Sequence, residues 1–164
     1  MIRRISATMA AIIGIYNGAG YGLMWNATAE ENRQYLPVDV IAYECEIDIN
    51  EFIYFAQVVE AESDRTPEVT PGKIAIAAVI LNRAASADFP DTITEVLNQP
   101  GQFSTTHNGR CNIEATQTAA YAIYEAQQAI NAGEIPENLL YFNCINYQYG
   151  TPYGYINGNY FTTA

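Results

Sequence analysis

The sequence predicts an α+β domain that is mainly α, with a small β-hairpin late in the chain. Three observations predict it. An aromatic-rich helical run ends at Val58-Val59-Glu60-Ala61-Glu62. A second run, Ala75-Ile76-Ala77-Ala78-Val79-Ile80-Leu81-Asn82-Arg83, is apolar nearly all round and belongs at the centre of a fold. After Pro136 the pattern changes to short aromatic strand candidates, Leu139-Leu140-Tyr141-Phe142 and Tyr160-Phe161, separated by a Tyr/Gly/Asn loop.

Taken in order, residues 1–29 have the form of a secretory signal or N-terminal anchor. Arg3 and Arg4 precede an apolar stretch from Ile5 to Ile15, and small residues close the segment at Ala27-Thr28-Ala29. The apolar run is too short to span a bilayer stably. Residues 30–47 contain Pro37 and show no sustained period, so they read as an irregular lead-in. The domain proper, 48–164, opens where Asp48-Ile49-Asn50-Glu51 has capping-box spacing ahead of the first helix. Residues 63–70 form a polar loop, and Thr70-Pro71 supplies a cap and a first-turn proline for the central helix, which runs to about Arg83. Asp91 is placed to cap a short helix through Asn98, and Gln99 to Gly109 reads as loop. Asn112 caps a long helix to about Ala132, with Gly133 just past its end.

The 164 residues, 49% of them hydrophobic, suffice for one ordinary core. Removal of residues 1–29 would leave five basic against 18 acidic residues, a net charge of −13. Such acidity argues against nucleic acid, whose phosphates need Lys and Arg, and favours a neutral or weakly charged substrate. Cys45, Cys111 and Cys144 match no zinc spacing, and the single His107 cannot complete a cluster. In an exported protein Cys111 and Cys144 could form a bridge; buried free thiols are the alternative.

Glu60 and Glu62 point about 200° apart on a helix, so they cannot serve one site as a pair. Phe55, Val58 and Val59 lie seven, four and three positions before Glu62, which therefore emerges beside the more apolar surface. Desolvation there would favour the protonated acid that general acid catalysis requires. Glu60 is expected to be solvated or to hold a structural hydrogen bond. His107, in Thr105-Thr106-His107-Asn108-Gly109, reads as an exposed loop residue without a catalytic role.

Five ordered blocks make the chain resemble the SleB-type cell-wall hydrolase family, known from spore cortex-lytic enzymes: Val59-Glu60-Ala61-Glu62, the stretch Gly72 to Arg83, Phe89-Pro90-Asp91-Thr92-Ile93, Gln99-Pro100-Gly101-Gln102-Phe103-Ser104, and Leu140-Tyr141-Phe142-Asn143. The resemblance covers about residues 52–161. It implies a compact lysozyme-like fold, with Glu62 at the family's catalytic glutamate. It also implies cleavage between N-acetylmuramic acid and N-acetylglucosamine, in which that acid protonates the bridging oxygen and the muramic 6-hydroxyl closes onto C1 as a 1,6-anhydro product. Two stretches depart from the family pattern: the loop Ser63 to Pro71, and Gly158-Asn159-Tyr160-Phe161, which lacks the histidine common at the family's last strand.

Gln99, Gln102 and Ser104 would bond sugar hydroxyl and acetamido groups, and Phe103 offers either a stacking face or a core ring. Tyr141 and Asn143 resemble the family's site wall, while Asn82 and Arg83 are family-like too, Arg83 reading most simply as a cap on helix carbonyls. A hydrolytic outcome would need a second group about 5–9.5 Å from the acid; Asp64, Glu68 and Asp91 are candidates that read equally as turn or cap residues.

The expectation is a monomeric lytic transglycosylase or muramidase acting on peptidoglycan strands, without cofactor or metal. It would be secreted or in the cell envelope, or of phage origin, with no stable membrane span after processing. The alternative is an inactive glycan-binding or phage structural protein on the same scaffold.

Overall fold

The structure, a computed structural model, describes residues 36–164. The expected signal segment 1–29 and the first part of the lead-in lie outside the described residues. The elements, in order, are α1 (Val38–Glu44), α2 (Ile49–Glu62), α3 (Pro71–Ala85), α4 (Ile93–Leu97), α5 (Ser104–His107), α6 (Gln117–Asn131), β1 (Leu139–Asn143), β2 (Thr151–Ile156) and β3 (Asn159–Thr163). The architecture is thus mainly α with a late sheet. No helix among the described residues is long and apolar enough to cross a membrane.

Helix α1 corrects the irregular lead-in. Pro37 stands just before its first turn, where a missing N–H costs nothing. Ile41, Ala42 and Cys45 bury themselves in the core, and Leu36 N–H donates to the Tyr121 hydroxyl on α6 at 2.8 Å. Tertiary burial stabilises a seven-residue helix whose short sequence shows no period.

Asp48 caps α2, its Oδ1 accepting from the amides of Asn50 and Glu51. Only half of the expected capping box forms, because Glu51 Oε1 accepts from Thr94 N–H at 2.8 Å and so ties α4 to the start of α2. Thr70 caps α3 and Pro71 opens it, as expected. The middle of α3, Ile76 to Ile80, is fully buried.

Two cap assignments change. Thr92, not Asp91, caps α4: its Oγ1 accepts from Glu95 N–H and donates to Glu95 Oε2 at 2.9 Å. Thr116, not Asn112, caps α6, because its hydroxyl both accepts from Ala119 N–H and donates to Glu60. The stretch expected to be loop from Gln99 to Gly109 contains the single turn α5.

The sheet is antiparallel in the order β1-β3-β2. β2 arises within the expected Tyr/Gly/Asn loop; Pro152 is tolerated there because the strand lies at an edge. Asn157 and Gly158 join β2 to β3 with φ of 45° and 87°, as a two-residue type I′ hairpin turn requires. Asn157 Oδ1 accepts from Gly72 N–H, and a methyl on Gly72 would meet Asn157 Cβ at 2.7 Å. The hairpin turn therefore seats directly on the first turn of α3.

Cys45 and Cys111 are buried, Cys144 is exposed, and all three are unpaired, so no Cys111–Cys144 bridge is present. Burial, with Glu44 nearby, pushes the Cys45 thiol up to about 12. The stability contributed by keeping that thiol protonated is fully present below its ordinary value of 9.0 and is lost as pH rises toward about 12. An alkylating reagent applied to the native protein at about pH 8, below the ordinary thiol range, should modify Cys144 and spare Cys45 until denaturant is added. Labelling of Cys45 at the rate of Cys144 would contradict this burial.

Candidate active site

Glu62 is the last residue of α2 and is half-buried. Its Oε1 accepts from the Thr105 hydroxyl at 2.6 Å and from the Thr105 amide at 3.3 Å. Among the described residues, none donates a hydrogen bond to its Oε2 and no cation pairs with the group. One oxygen is therefore fixed while the other is free to carry and deliver a proton. Thr105 lies in α5, so the short helix hidden in the expected loop supplies both donors.

Glu60 is the more deeply buried of the two acids, and of its two expected states, solvated or holding a structural hydrogen bond, it takes the second. Its Oε2 lies 2.9 Å from Lys73 Nζ and accepts from the Thr116 hydroxyl at 2.8 Å. Lys73 Nζ also donates to the Thr66 carbonyl and to Thr118 Oγ1 at 3.1 Å, so its three protons have three acceptors. The cluster joins the end of α2, the loop that follows Glu62, the start of α3 and the start of α6. The structural hydrogen bond anticipated for Glu60 is thus part of a buried ion pair in which Oε2 takes both bonds.

Asp64 turns the chain just after Glu62, its Oδ1 accepting from the Thr66 amide and hydroxyl and its Oδ2 from Asn157 Nδ2 at 3.3 Å. This binds the hairpin turn to the loop that leaves the acid. Glu68 and Asp91 are exposed.

The other expected site residues divide into two sets. Gln102 is exposed, with Oε1 accepting from Arg83 at 3.0 Å, and Ser104 is exposed at the start of α5. Gln99 is half-buried, and its side-chain Oε1 is enclosed without a hydrogen-bond donor. Phe103 is only 1% exposed and packs against Phe142, so its ring belongs to the core and has no face open to a sugar. Tyr141 is half-buried between Phe89 and Tyr149. Asn143 spends its side chain on its own turn: Oδ1 accepts from the amides of Ile145 and Asn146, and Nδ2 donates to Asn146 O. His107 is exposed, its Nε2 3.4 Å from the Gln99 carbonyl oxygen.

Arg83 was expected to cap helix carbonyls but instead reaches across to the sheet. Its Nε donates to Leu140 O at 2.7 Å, and the guanidinium lies over the rings of Phe89, Phe103 and Tyr141 at 5.0, 5.5 and 5.9 Å. Burial lowers its pKa to about 10. Asn82 donates to Pro136 O and Leu139 O, completing the link between α3 and the start of β1. Thr105 was missed because its role depends on a fold-dependent approach across 43 positions, and the preceding Phe103-Ser104 drew attention to the wrong hydroxyl.

A family described as Cell Wall Hydrolase matches residues 67–158. The spore cortex-lytic enzyme of Bacillus cereus is 36% identical over 93 residues, which cover 57% of this chain and 34% of that enzyme. The chain thus spans about a third of the length of the curated relatives it matches. Among solved structures, the catalytic domain of the germination-specific lytic transglycosylase SleB from Bacillus anthracis is similar with a TM-score of 0.56 and 29% identity, over 70% of this chain and 94% of that one. The catalytic domain of the Bacillus cereus SleB protein gives a TM-score of 0.58 and 28% identity, over 71% and 91%. The matched family span begins five residues after Glu62.

Removing Lys73 alone should strand a buried carboxylate. Lys73→Met is expected to lower unfolding free energy by about 3–5 kcal/mol, whereas Glu60→Met with Lys73→Met should cost markedly less. Urea unfolding of the two variants checks this; an equal or larger loss in the double variant would show that an unpaired Glu60 carries no burial penalty.

Proposed function

Because the chain belongs to the Cell Wall Hydrolase family, we propose that it cleaves the glycan strands of peptidoglycan between N-acetylmuramic acid and N-acetylglucosamine, with Glu62 as the single acid. The observation that carries this reading is the half-buried Glu62 carboxyl, held through one oxygen by Thr105 with the other left to act. The protonated Oε2 donates to the oxygen between the two sugars as the C1–O bond breaks. The muramic 6-hydroxyl then attacks C1, its proton passes to the Glu62 carboxylate, and a 1,6-anhydro end results. The acid is regenerated, and no second protein carboxylate is consumed.

Thr105 is a positioning residue in this scheme. Its two bonds fix Oε1, so the proton resides on Oε2 and points one way, and orientation of this kind lowers a barrier before chemistry begins. Gln102 and Ser104 remain exposed on the segment that carries Thr105, where they can bond sugar hydroxyl and acetamido groups. Site action lies outside the cytoplasm, where peptidoglycan is found.

Glu62→Gln retains an oxygen for Thr105 and should fold normally, yet lower release of soluble fragments from purified sacculi about 10²–10⁴-fold. Turnover equal to wild type would exclude Glu62 as the acid. Thr105→Val preserves shape without the hydroxyl and should lower kcat about tenfold or more with KM little changed, while Thr105→Ser restores it, because the bond is strongest, ~1.5–3 kcal/mol, to the carboxylate charge that develops as the proton leaves Glu62. An unaffected Thr105→Val would reduce Thr105 to packing.

A further inference from the structure

Residues 138–164 contain no Asp, Glu, Lys, Arg or His, in a chain with 18 acidic and seven basic residues. The same stretch holds six of the 13 tyrosines. It forms the three-stranded sheet and the loop 144–150. Edge strands are normally blunted by charge, proline or a bulge; β2 has Pro152 and a register shift beside it but no charge.

The two faces of the sheet differ. On the inner face Phe161 is buried and stacks on Phe142 with ring centroids 5.5 Å apart. On the outer face Tyr155 and Tyr160 sit opposite one another in register, 4.6 Å between centroids, and Tyr147 from the preceding loop closes edge-on to Tyr160 at 4.9 Å. Tyr155 is 60% exposed and Tyr147 41%. A cross-strand aromatic pair stabilises a hairpin, but that role calls for neither a third ring nor an uncharged surround. Tyrosines supply apolar area at low conformational cost with a hydroxyl at the rim.

We propose that Tyr147, Tyr155 and Tyr160 form a second sugar-binding surface, for an uncharged strand of N-acetylated amino sugars. A polyanion would need cations that are absent here, and a cationic peptide would be drawn to the carboxylates elsewhere on the chain. A neutral glycan matches the surface: apolar C–H faces meet the rings, and hydroxyl and acetamido edges meet phenol and amide groups. The ligand class rests on the cell-wall reading above. Asn157, at the turn of the same hairpin, bonds both Asp64 and Gly72, so a strand held on the sheet is fixed relative to the loop leaving Glu62.

The test uses the full chain carrying Glu62→Gln, so that the polymer is not cut, and measures co-sedimentation with purified sacculi and binding of N-acetylglucosamine oligosaccharides. Adding Tyr155→Thr and Tyr160→Thr, which keep strand-forming residues in place, should weaken both by about tenfold, equivalent to ~1.4 kcal/mol. Tyr43→Gln, at a tyrosine 73% exposed on α1, should change neither. Undiminished binding by the double variant overturns the proposal, as does a Glu62→Gln parent that binds neither ligand. Should the double variant unfold, Tyr155→Thr alone decides by the same readout. Unchanged binding alongside fragment release by wild type refutes this surface alone; weakened binding with no release by wild type refutes the cleavage reading alone.

Discussion

A carboxylate and an ammonium group sealed inside a protein must satisfy each other, and Glu60 and Lys73 do so where four segments meet. Each charge would be costly to bury alone. Together, with Thr116, Thr118 and the Thr66 carbonyl, they leave no proton of Lys73 without an acceptor. The arrangement also decides what Glu62 can do. With Glu60 turned inward to Lys73, helical geometry places Glu62 about 200° round the axis, against α5. One acid is thereby committed to structure, and its neighbour meets Thr105 through one oxygen only, as the proposed chemistry requires.

The consequences extend along the chain. Holding the Thr66 carbonyl fixes the path of the loop after Glu62, and Asp64 within that loop receives Asn157 from the hairpin turn. The sheet is thus joined to the acid through a few short bonds. On the other side, Arg83 and Asn82 fasten α3 to β1, with the guanidinium set among three aromatic rings and one amide oxygen of the 99–103 segment. Charge is used sparingly at these joints, although the chain as a whole is strongly acidic.

Much of this was legible in the sequence where the signal is local. The period of α2, the all-round apolarity of α3, and the Thr70-Pro71 start all carry their physical reason within a few residues. The short elements were not. α1 and α5 are stabilised by burial rather than propensity, and β2 combines Pro152, Gly154 and tyrosines that read as loop, even though Asn157-Gly158 is a strong hairpin signal. Caps at Thr92 and Thr116 displaced Asp91 and Asn112 because their hydroxyls also meet glutamates, one nearby and one distant in sequence. In the candidate site, the helical spacing singled out Glu62, while nothing within a few residues of Lys73 marks it as buried and Thr105 reads as a loop residue. Phe103 and Asn143 turned out to be occupied by the core and by a turn.

The central claim is that one carboxyl suffices, with the substrate's own 6-hydroxyl completing the reaction. Mass spectrometry of the fragments that the wild-type chain releases from purified peptidoglycan tests it most directly. The released muramic ends should be in the 1,6-anhydro form, each lighter by one water than a hydrolysed end. Fragments bearing reducing muramic ends, with oxygen drawn from solvent, would contradict it and require a second catalytic group beside Glu62.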